Sequence, residues 1–201
     1  MQQTGERHND DQALLDAHCE GDGQAFAALV RRHGPMLMGY LTRMCRDGRL
    51  AEDCFQETFL RVHTAAGSFN RQGSFKAWLY TIATNVVMDL RRKQMRRPTL
   101  VSATVEDEDD CSDLSVLEPA DTHPGPAETV ANRELRENVL AALEQLPHGQ
   151  RSALVMSYYQ GLSYRQIGEI MHCSVGAVKT QVFRAVKRLA TLLPDVDKAR
   201  L

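Results

Sequence analysis

An acidic, proline-rich segment in the middle of the chain limits what the rest of it can fold into. Residues 98–131 contain nine Asp and Glu, no Lys or Arg, and four of the seven prolines. Such a composition buries too little apolar surface to offset the conformational entropy that folding removes. We therefore expect a linker here, which leaves two flanking blocks that each suit one small domain.

Both flanking blocks are basic, although the formal net charge of the whole chain is only -2. Residues 1–97 carry 14 Lys and Arg against 11 Asp and Glu, and residues 132–201 carry ten against six. Apolar residues recur at helical spacing in both blocks. The sequence therefore predicts an all-α fold of two small helical domains, residues 1–97 and 127–201, joined by a flexible acidic linker over residues 98–126.

The apolar periodicity also predicts where individual helices lie. In the first block the predicted helices are 12–19, 23–33, 36–45, 50–65 and 75–96. In the second block a helix marked by Leu135, Val139, Leu143 and Leu146 stops at Pro147. It is followed by a helix over 151–160, with Gly161 as its end signal.

Residues 163–189 predict two helices separated by a short turn. Ser163 and Ser174 can each accept a hydrogen bond from the free N–H groups of a helix start, and Gln166 completes a capping-box spacing with Ser163. The first helix has an apolar stripe of Ile167, Ile170 and Met171. The predicted apolar stripe of the second helix consists of Val175, Val178, Val182, Val186 and Leu189.

The other side of this second helix gathers hydrogen-bond donors and cations. These residues are Lys179, Thr180, Gln181, Arg184, Lys187 and Arg188. A helix that enters the DNA major groove needs such a surface. A plain helical hairpin shows the same pattern, so this stretch alone leaves both interpretations open.

The five cysteines do not indicate a metal site or a disulfide framework. They are odd in number, widely spaced and without a CxxC pair, so we interpret most of them as reduced core thiols. The pairs His18-Cys19 and His172-Cys173 are adjacent, and adjacent helical residues point about 100° apart. We therefore expect no metal and no cofactor, although a metal sensor or enzyme built on these pairs is an alternative.

The chain has no apolar run long enough to cross a bilayer, and its polar start lacks the hydrophobic core of a signal peptide. We therefore expect a cytoplasmic protein without membrane insertion.

Three segments, taken in order, resemble a known family. They are AEDCFQETFLRV, GSFKAWLYTIATNVVMDLRR and LEQLPHGQRSALVMSYYQGLSYRQIGEIMHCSVGAVKTQVFRAVKRL. Together they are similar to extracytoplasmic-function (ECF) sigma factors of the sigma-70 family, which are two-domain bacterial transcription initiation factors. The resemblance implies a protein that is not an enzyme, binds the beta-prime and beta subunits of core RNA polymerase, recognises promoter DNA and is held in check by an anti-sigma factor.

The first segment corresponds to the part of the family that grips the clamp helices of the beta-prime subunit. The resemblance therefore implies core-polymerase contacts by Asp53, Gln56, Glu57 and Phe59. Asp53, Gln56 and Glu57 are spaced by three and four residues, which places their polar ends on one helix face. A solvated acidic face has the same pattern and is the alternative.

The second segment corresponds to the part that opens the minus-ten element and holds an unstacked base. The resemblance implies that the loop over residues 68–74 surrounds the base and that the amide of Asn85 reads its edge. The cations implied to hold the DNA backbone are Arg91, Arg92 and Lys93. We interpret Trp78 as a core residue rather than a stacking platform.

The third segment corresponds to the reader of the minus-thirty-five element. The implied DNA contacts are Lys179, Thr180, Phe183 and Arg184, with Lys187 and Arg188 on phosphates. Lys179 and Gln181 stand where relatives often have arginine. Because lysine lacks the planar fork that grips guanine, we expect a preferred promoter sequence that differs from theirs.

Two further alternatives remain open. A dimeric helix-turn-helix repressor or activator explains residues 127–192 but leaves the first segment and the basic helix end without a role. The acidic linker also has two interpretations. In the family the corresponding linker threads through the polymerase cleft, which implies that its carboxylates imitate a nucleic-acid strand there. The alternative is that it is a solvated spacer.

Overall fold

The computed structural model describes residues 2–45, 47–96 and 130–193. Every regular element in these ranges is helical, which confirms the predicted all-α fold for this part of the chain. The chain divides into two compact units, Met1–Thr99 and Leu100–Leu201. The predicted linker over 98–126 lies outside the described residues, and its role stays a prediction.

The described part of the first unit consists of four α-helices and one 3-10 turn. They are α1 (Gln2–Cys19), α2 (Gly23–Met44), α3 (Gly48–Ala65), the 3-10 turn (Ala66–Ser68) and α4 (Phe75–Arg96). Two of the helices begin at aspartates: Asp22 accepts hydrogen bonds at the start of α2, and Asp47 does so at the start of α3. Because α2 packs against α1, α3 and α4, it is the central helix of this unit.

The prediction of two helices over 23–33 and 36–45 is wrong, because α2 runs through both ranges with Pro35 inside it. Proline in a helix interior costs about 3 kcal/mol, which is why the sequence indicated a break. Leu29, Leu37 and Leu41 lie on one face of the continuous helix and are fully buried. Their burial against the neighbouring helices outweighs this local cost. The first helix is also longer than predicted, since α1 begins at Gln2 rather than at residue 12.

Tyrosines from α2 and α4 hold these two helices together in the core. Tyr40 and Tyr80 are at most 1% exposed, and their rings meet edge to face with centroids 5.2 Å apart. The hydroxyl groups of Tyr40 and Thr84 share a hydrogen bond of 2.9 Å. Since the inner side of α4 is fixed in this way, its opposite side is held at the surface.

A buried carboxylate links α1 to α2. Asp11 is 5% exposed; its Oδ1 accepts from Arg32 Nη1 at 2.7 Å and its Oδ2 lies 2.9 Å from His33 Nε2. Burial alone would raise the pKa of Asp11, but the hydrogen bonds and charges of His33 and Arg32 together hold this pKa below its ordinary value. The folded state therefore favours the ionised carboxylate.

Replacing Asp11 with asparagine is expected to lower the free energy of unfolding at neutral pH by about 1 to 3 kcal/mol, because Arg32 and His33 lose a buried charged acceptor. A depressed folded-state pKa stabilises the fold above the ordinary aspartate pKa of about 3.9, and this contribution disappears as the pH falls through the folded-state value. The difference between wild type and variant should therefore shrink in acid. Urea unfolding of both proteins at neutral pH and near pH 3 measures this difference in unfolding free energy, with Asp10→Asn, at an exposed position, as the control. A difference that stays constant with pH would contradict the role given to the ionised Asp11 carboxylate.

The second unit contains α5 (Val130–Glu144), α6 (His148–Tyr158), α7 (Tyr164–Met171) and α8 (Val175–Leu192). The predicted caps are confirmed: Ser163 and Gln166 form a capping box at α7, and the Ser174 hydroxyl accepts from Ala177 N at 3.1 Å at α8. Gly161 has a φ of +58° in the loop after α6, as expected of an end signal. α8 packs against α6 and α7, which completes a helix-turn-helix.

The turn between α7 and α8 depends on close backbone packing. His172 ends α7 in the left-handed conformation, with φ at 55°. A Cβ atom on Gly168 would lie 2.8 Å from the carbonyl oxygen of Cys173, so only glycine fits there without a backbone shift. The angle between the two helices is thus set by the turn as well as by the apolar side chains that both helices bury.

The described cysteines differ in their surroundings. Cys45 and Cys54 are buried with their sulfur atoms 3.9 Å apart, whereas Cys19 is exposed and Cys173 is half-buried. Burial raises the pKa of the Cys173 thiol. Within the described ranges, no three His, Cys, Asp or Glu side chains converge in a way that could hold a metal ion. Over the same residues, no helix combines the length and apolar character needed to cross a membrane.

Candidate polymerase and promoter interfaces

The outer side of α3 presents an exposed surface that mixes polar and apolar groups. Asp53, Gln56 and Leu60 are all exposed, and their spacing of three and four residues places them on one helix face. Leu60 is the most exposed large hydrophobic residue of the described chain, at 58%. We call Asp53, Gln56 and Leu60 the α3 face. A single exposed leucine is ordinary on a protein surface, so the α3 face is a candidate because Leu60 continues a row of exposed polar groups.

Two other residues expected on this surface are already engaged within the protein. Phe59 is 6% exposed and packs against Phe55 and Phe26, with ring centroids at 5.0 Å and 6.2 Å. Glu57 accepts a hydrogen bond of 2.7 Å from Arg61, which also donates to Asp89 of α4 at 3.0 Å. Phe59 and Glu57 therefore support the shape of α3 and its attachment to its neighbours.

The sequence interpretation missed Leu60. Its neighbour Phe59 was chosen from the resemblance, but the two side chains lie about 100° apart around the helix. Leu60 lies seven residues after Asp53, or nearly two full turns, so a helical projection centred on Asp53 would have found it.

A second candidate surface lies on α4 and the loop before it. The Ser74 hydroxyl accepts a hydrogen bond from Ala77 N at 3.4 Å, which supports the predicted start of α4. Asn85 is exposed, and so are the three basic residues near the end of the helix, Arg91, Arg92 and Lys93. Asn85 and Arg92 are seven residues apart and therefore share one face. This face of α4 therefore presents the Asn85 amide and the Arg92 guanidinium on the same side of the helix.

Trp78 belongs to an aromatic cluster at the base of the loop. Its ring lies 5.0 Å from that of Phe69 and 6.0 Å from that of Phe75, both of which are buried. Trp78 itself is half-buried. These contacts favour the interpretation of Trp78 as a packing residue.

The third candidate surface is the outer side of α8. Lys179, Phe183 and Lys187 are exposed and follow one another at intervals of four residues, and Arg188 is exposed beside them. Phe183 has 38% of its surface exposed. The exposed surface between Lys179 and Arg188 therefore combines cations with one aromatic ring.

Several side chains of α8 differ from the sequence prediction. Val175 and Val186 were predicted to be buried but are 41% and 36% exposed, because the buried stripe follows Val178, Val182, Ala185 and Leu189. Thr180, Gln181 and Arg184 were predicted to be exposed but are half-buried. The Thr180 hydroxyl also donates to the carbonyl oxygen of Gly176 at 3.0 Å.

Comparison with known proteins assigns one functional region to each of the two units. The family model for sigma-70 region 2 matches residues 29–97, and the model for sigma-70 region 4 matches residues 136–189. The first region contains α3 and α4, and the second contains α6, α7 and most of α8. The chain belongs to the sigma-70 family of RNA polymerase sigma factors.

Individual relatives within this family match the chain over most of its length. The chain is 32% identical over 175 residues to the RNA polymerase sigma-H factor of Pseudomonas aeruginosa, which covers 87% of this chain and 89% of the relative. It is 34% identical over 175 residues to the ECF RNA polymerase sigma-E factor of Haemophilus influenzae, with 87% and 90% covered. Both relatives are sigma factors over nearly their whole length, so the resemblance inferred from the three segments is confirmed.

A solved structure has the same fold. The sigma factor RpoE in complex with the anti-sigma factor NepR from Bartonella quintana aligns with a TM-score of 0.67 at 24% identity. The alignment covers 86% of this chain and 98% of that one. At this identity the likeness concerns the fold alone.

Proposed function

We propose that this chain binds core RNA polymerase through α3, opens promoter DNA with α4 and the loop before it, and reads the minus-thirty-five element with α8. The observation that carries the proposal is the position of the exposed surfaces. Each family region contains a helix whose apolar side is buried and whose outer side carries exposed polar groups in regular rows. Exposed positions of this kind contribute little to folding, so a partner can reach them at little cost to the fold.

The α3 face is the proposed contact with core polymerase. Leu60 provides apolar area at one end of this row, and Gln56 and Asp53 provide directional polar groups along the helix before it. Interfaces of this kind derive most of their affinity from a few central apolar or aromatic side chains surrounded by polar groups. Glu57 and Phe59, which the sequence assigned to the contact, are proposed to act mainly by holding α3 in position.

Asn85 is the proposed reader of an unstacked minus-ten base, because its exposed amide offers both a donor and an acceptor. Arg92 follows it on the same face and is proposed to hold the strand backbone together with Arg91 and Lys93. Backbone neutralisation of this kind makes binding depend strongly on salt.

The outer side of α8 is the proposed reader of duplex DNA. Lys179 and Arg184 supply donors for base edges, and Phe183 supplies an apolar surface suited to a thymine methyl group. Lys187 and Arg188 are proposed to contact phosphates. Because its hydroxyl is bonded within the helix, Thr180 is proposed to contribute its methyl group rather than a hydrogen bond.

We further propose that the chain acts without catalysing a reaction, in the cytoplasm where its polymerase is found, and without metal or cofactor. An anti-sigma factor is the proposed inhibitor, as in the complex of RpoE with NepR. Exposed apolar residues on both units, such as Leu60 and Phe183, provide surface that such a partner can cover.

In vitro transcription with purified core polymerase tests the proposed function. Adding the chain should give transcripts from specific start sites on genomic DNA fragments, and core polymerase without it should give none at these sites. A dimeric repressor or activator, by contrast, would bind DNA but would not direct core polymerase to specific start sites. Absence of both complex formation and specific transcripts would overturn the proposal.

A further inference from the structure

The loop that the proposed function assigns to promoter opening has a defined shape. It comprises residues 69–74, between the 3-10 turn and α4, and we call it the opening loop. Phe69, the first residue of the loop, is 5% exposed, and Phe75, the residue that follows the loop, is 0% exposed. Between them, Gly73 N donates to the Asn70 carbonyl at 2.8 Å, and Gln72 N donates to the Asn70 side chain at 3.0 Å. The ends are thus fixed in the core, while the tip is a tight exposed turn.

The tip of this loop is held by a distant helix. The Nε of Arg71 donates to Asp16 Oδ1 of α1 at 2.7 Å, and the Gln12 side-chain amide donates to the carbonyl oxygen of Arg71. Gln12 and Asp16 are four residues apart, so they lie on one face of α1. The Arg71 guanidinium also donates to the Phe69 carbonyl at 3.3 Å. One residue of the loop is therefore bound to α1 through both its side chain and its backbone.

These contacts contribute little to the stability of the whole unit. The Asp16 and Arg71 side chains are 45% and 46% exposed, and exposed ion pairs add little to folding free energy. They do restrict the positions that the loop tip can adopt. A loop held in advance loses less conformational entropy when it captures a ligand, which favours capture.

We propose that Gln12 and Asp16 of α1 are positioning residues for the opening loop. They hold Arg71 and its neighbours in the conformation that receives the unstacked base. This inference rests on the proposed function, because it takes the opening loop as the site of base capture. It assigns α1, which lies before the region 2 match at residues 29–97, a role in promoter opening.

The test is the rate of open-complex formation by reconstituted holoenzyme, measured with a fluorescent base in the minus-ten element. Asp16→Asn should slow opening about two- to fivefold, the range expected from losing one exposed ion pair. Asp16→Glu keeps the charge and should remain near the wild-type rate. Glu20→Gln is the matched control, since it removes an exposed carboxylate just beyond α1. Melting temperature and affinity for core polymerase should be unchanged in all three.

A double-mutant cycle separates positioning from a general effect of charge. If Asp16 acts through Arg71, then Asp16→Asn should have no further effect in an Arg71→Gln background. Additive losses would overturn the proposed route through Arg71. Equal opening rates for wild type and Asp16→Asn would overturn the inference while leaving the proposed function intact. A wild-type holoenzyme that cannot open the promoter would instead overturn the proposed function.

Discussion

Replacing Asp53, Gln56 and Leu60 together with alanine is expected to weaken assembly with core polymerase by roughly 30-fold or more, equivalent to about 2 kcal/mol. The reason is that the variant removes both the exposed Leu60 side chain of the α3 face and the two polar groups in line with it. Exposed positions contribute little to folding, so the free energy of unfolding should change by about 0.5 kcal/mol or less. Titration of fluorescently labelled chain with core polymerase measures the affinity.

The matched control is Glu20→Ala with Gln24→Ala. It also removes one exposed carboxylate and one exposed amide, but neither residue belongs to the α3 face. This control should assemble as wild type does. Glu57 is left unchanged because its ion pair with Arg61 joins a network that reaches α4. If the triple variant and the control bind core polymerase with the same affinity, the α3 face is not the contact.

Arg184→Ala and Lys179→Ala are each expected to weaken binding to the preferred minus-thirty-five duplex by about 1 to 3 kcal/mol and to reduce discrimination at one base-pair position. Lys187→Ala should instead weaken binding to all sequences alike, because a phosphate contact carries no sequence information. The slope of log affinity against log salt concentration should become shallower by about one, because one counterion fewer is released on binding. Fluorescence anisotropy with single-base variants of the duplex, at several salt concentrations, distinguishes these outcomes.

Asn85→Ala provides the complementary control for α8. Its position lies in the other unit, so it should leave binding to the minus-thirty-five duplex unchanged while impairing promoter opening. Uniform losses over all duplexes for Arg184→Ala and Lys179→Ala would contradict base reading by α8. Loss of duplex binding in Asn85→Ala would contradict the division of work between the two units.

Much of the candidate site could be predicted from the sequence because its signals are local. Hydroxyl caps act within three residues, so Ser163 and Ser174 mark the starts of α7 and α8 without knowledge of the rest of the fold. Exposure of the polar α3 residues follows from helical geometry in the same way. Asp53 and Gln56 were therefore predicted at the surface, and the structure has them there.

The errors have a common cause, which is that burial depends on what packs against a helix. Val175 and Val186 are apolar and close to the buried stripe of α8, yet the contacts of α8 with α6 and α7 leave both of them exposed. Phe59 and Leu60 are adjacent apolar residues; Phe59 is buried among the rings of Phe26 and Phe55, whereas Leu60 lies on the exposed side of the helix. A periodic pattern shows which side of a helix faces the core but not how wide the buried stripe is.

The all-helical class, the helix-turn-helix and the family follow from local signals, because caps, apolar periods and motif order all act within short stretches of chain. Three features depend on how the helices pack: α2 continues through Pro35, Asp11 is buried against α2, and Asp16 holds Arg71. In the last two, the interacting residues are 21 and 55 positions apart in the chain. Such contacts form because packing of the helices brings the side chains together, and no local pattern encodes that proximity.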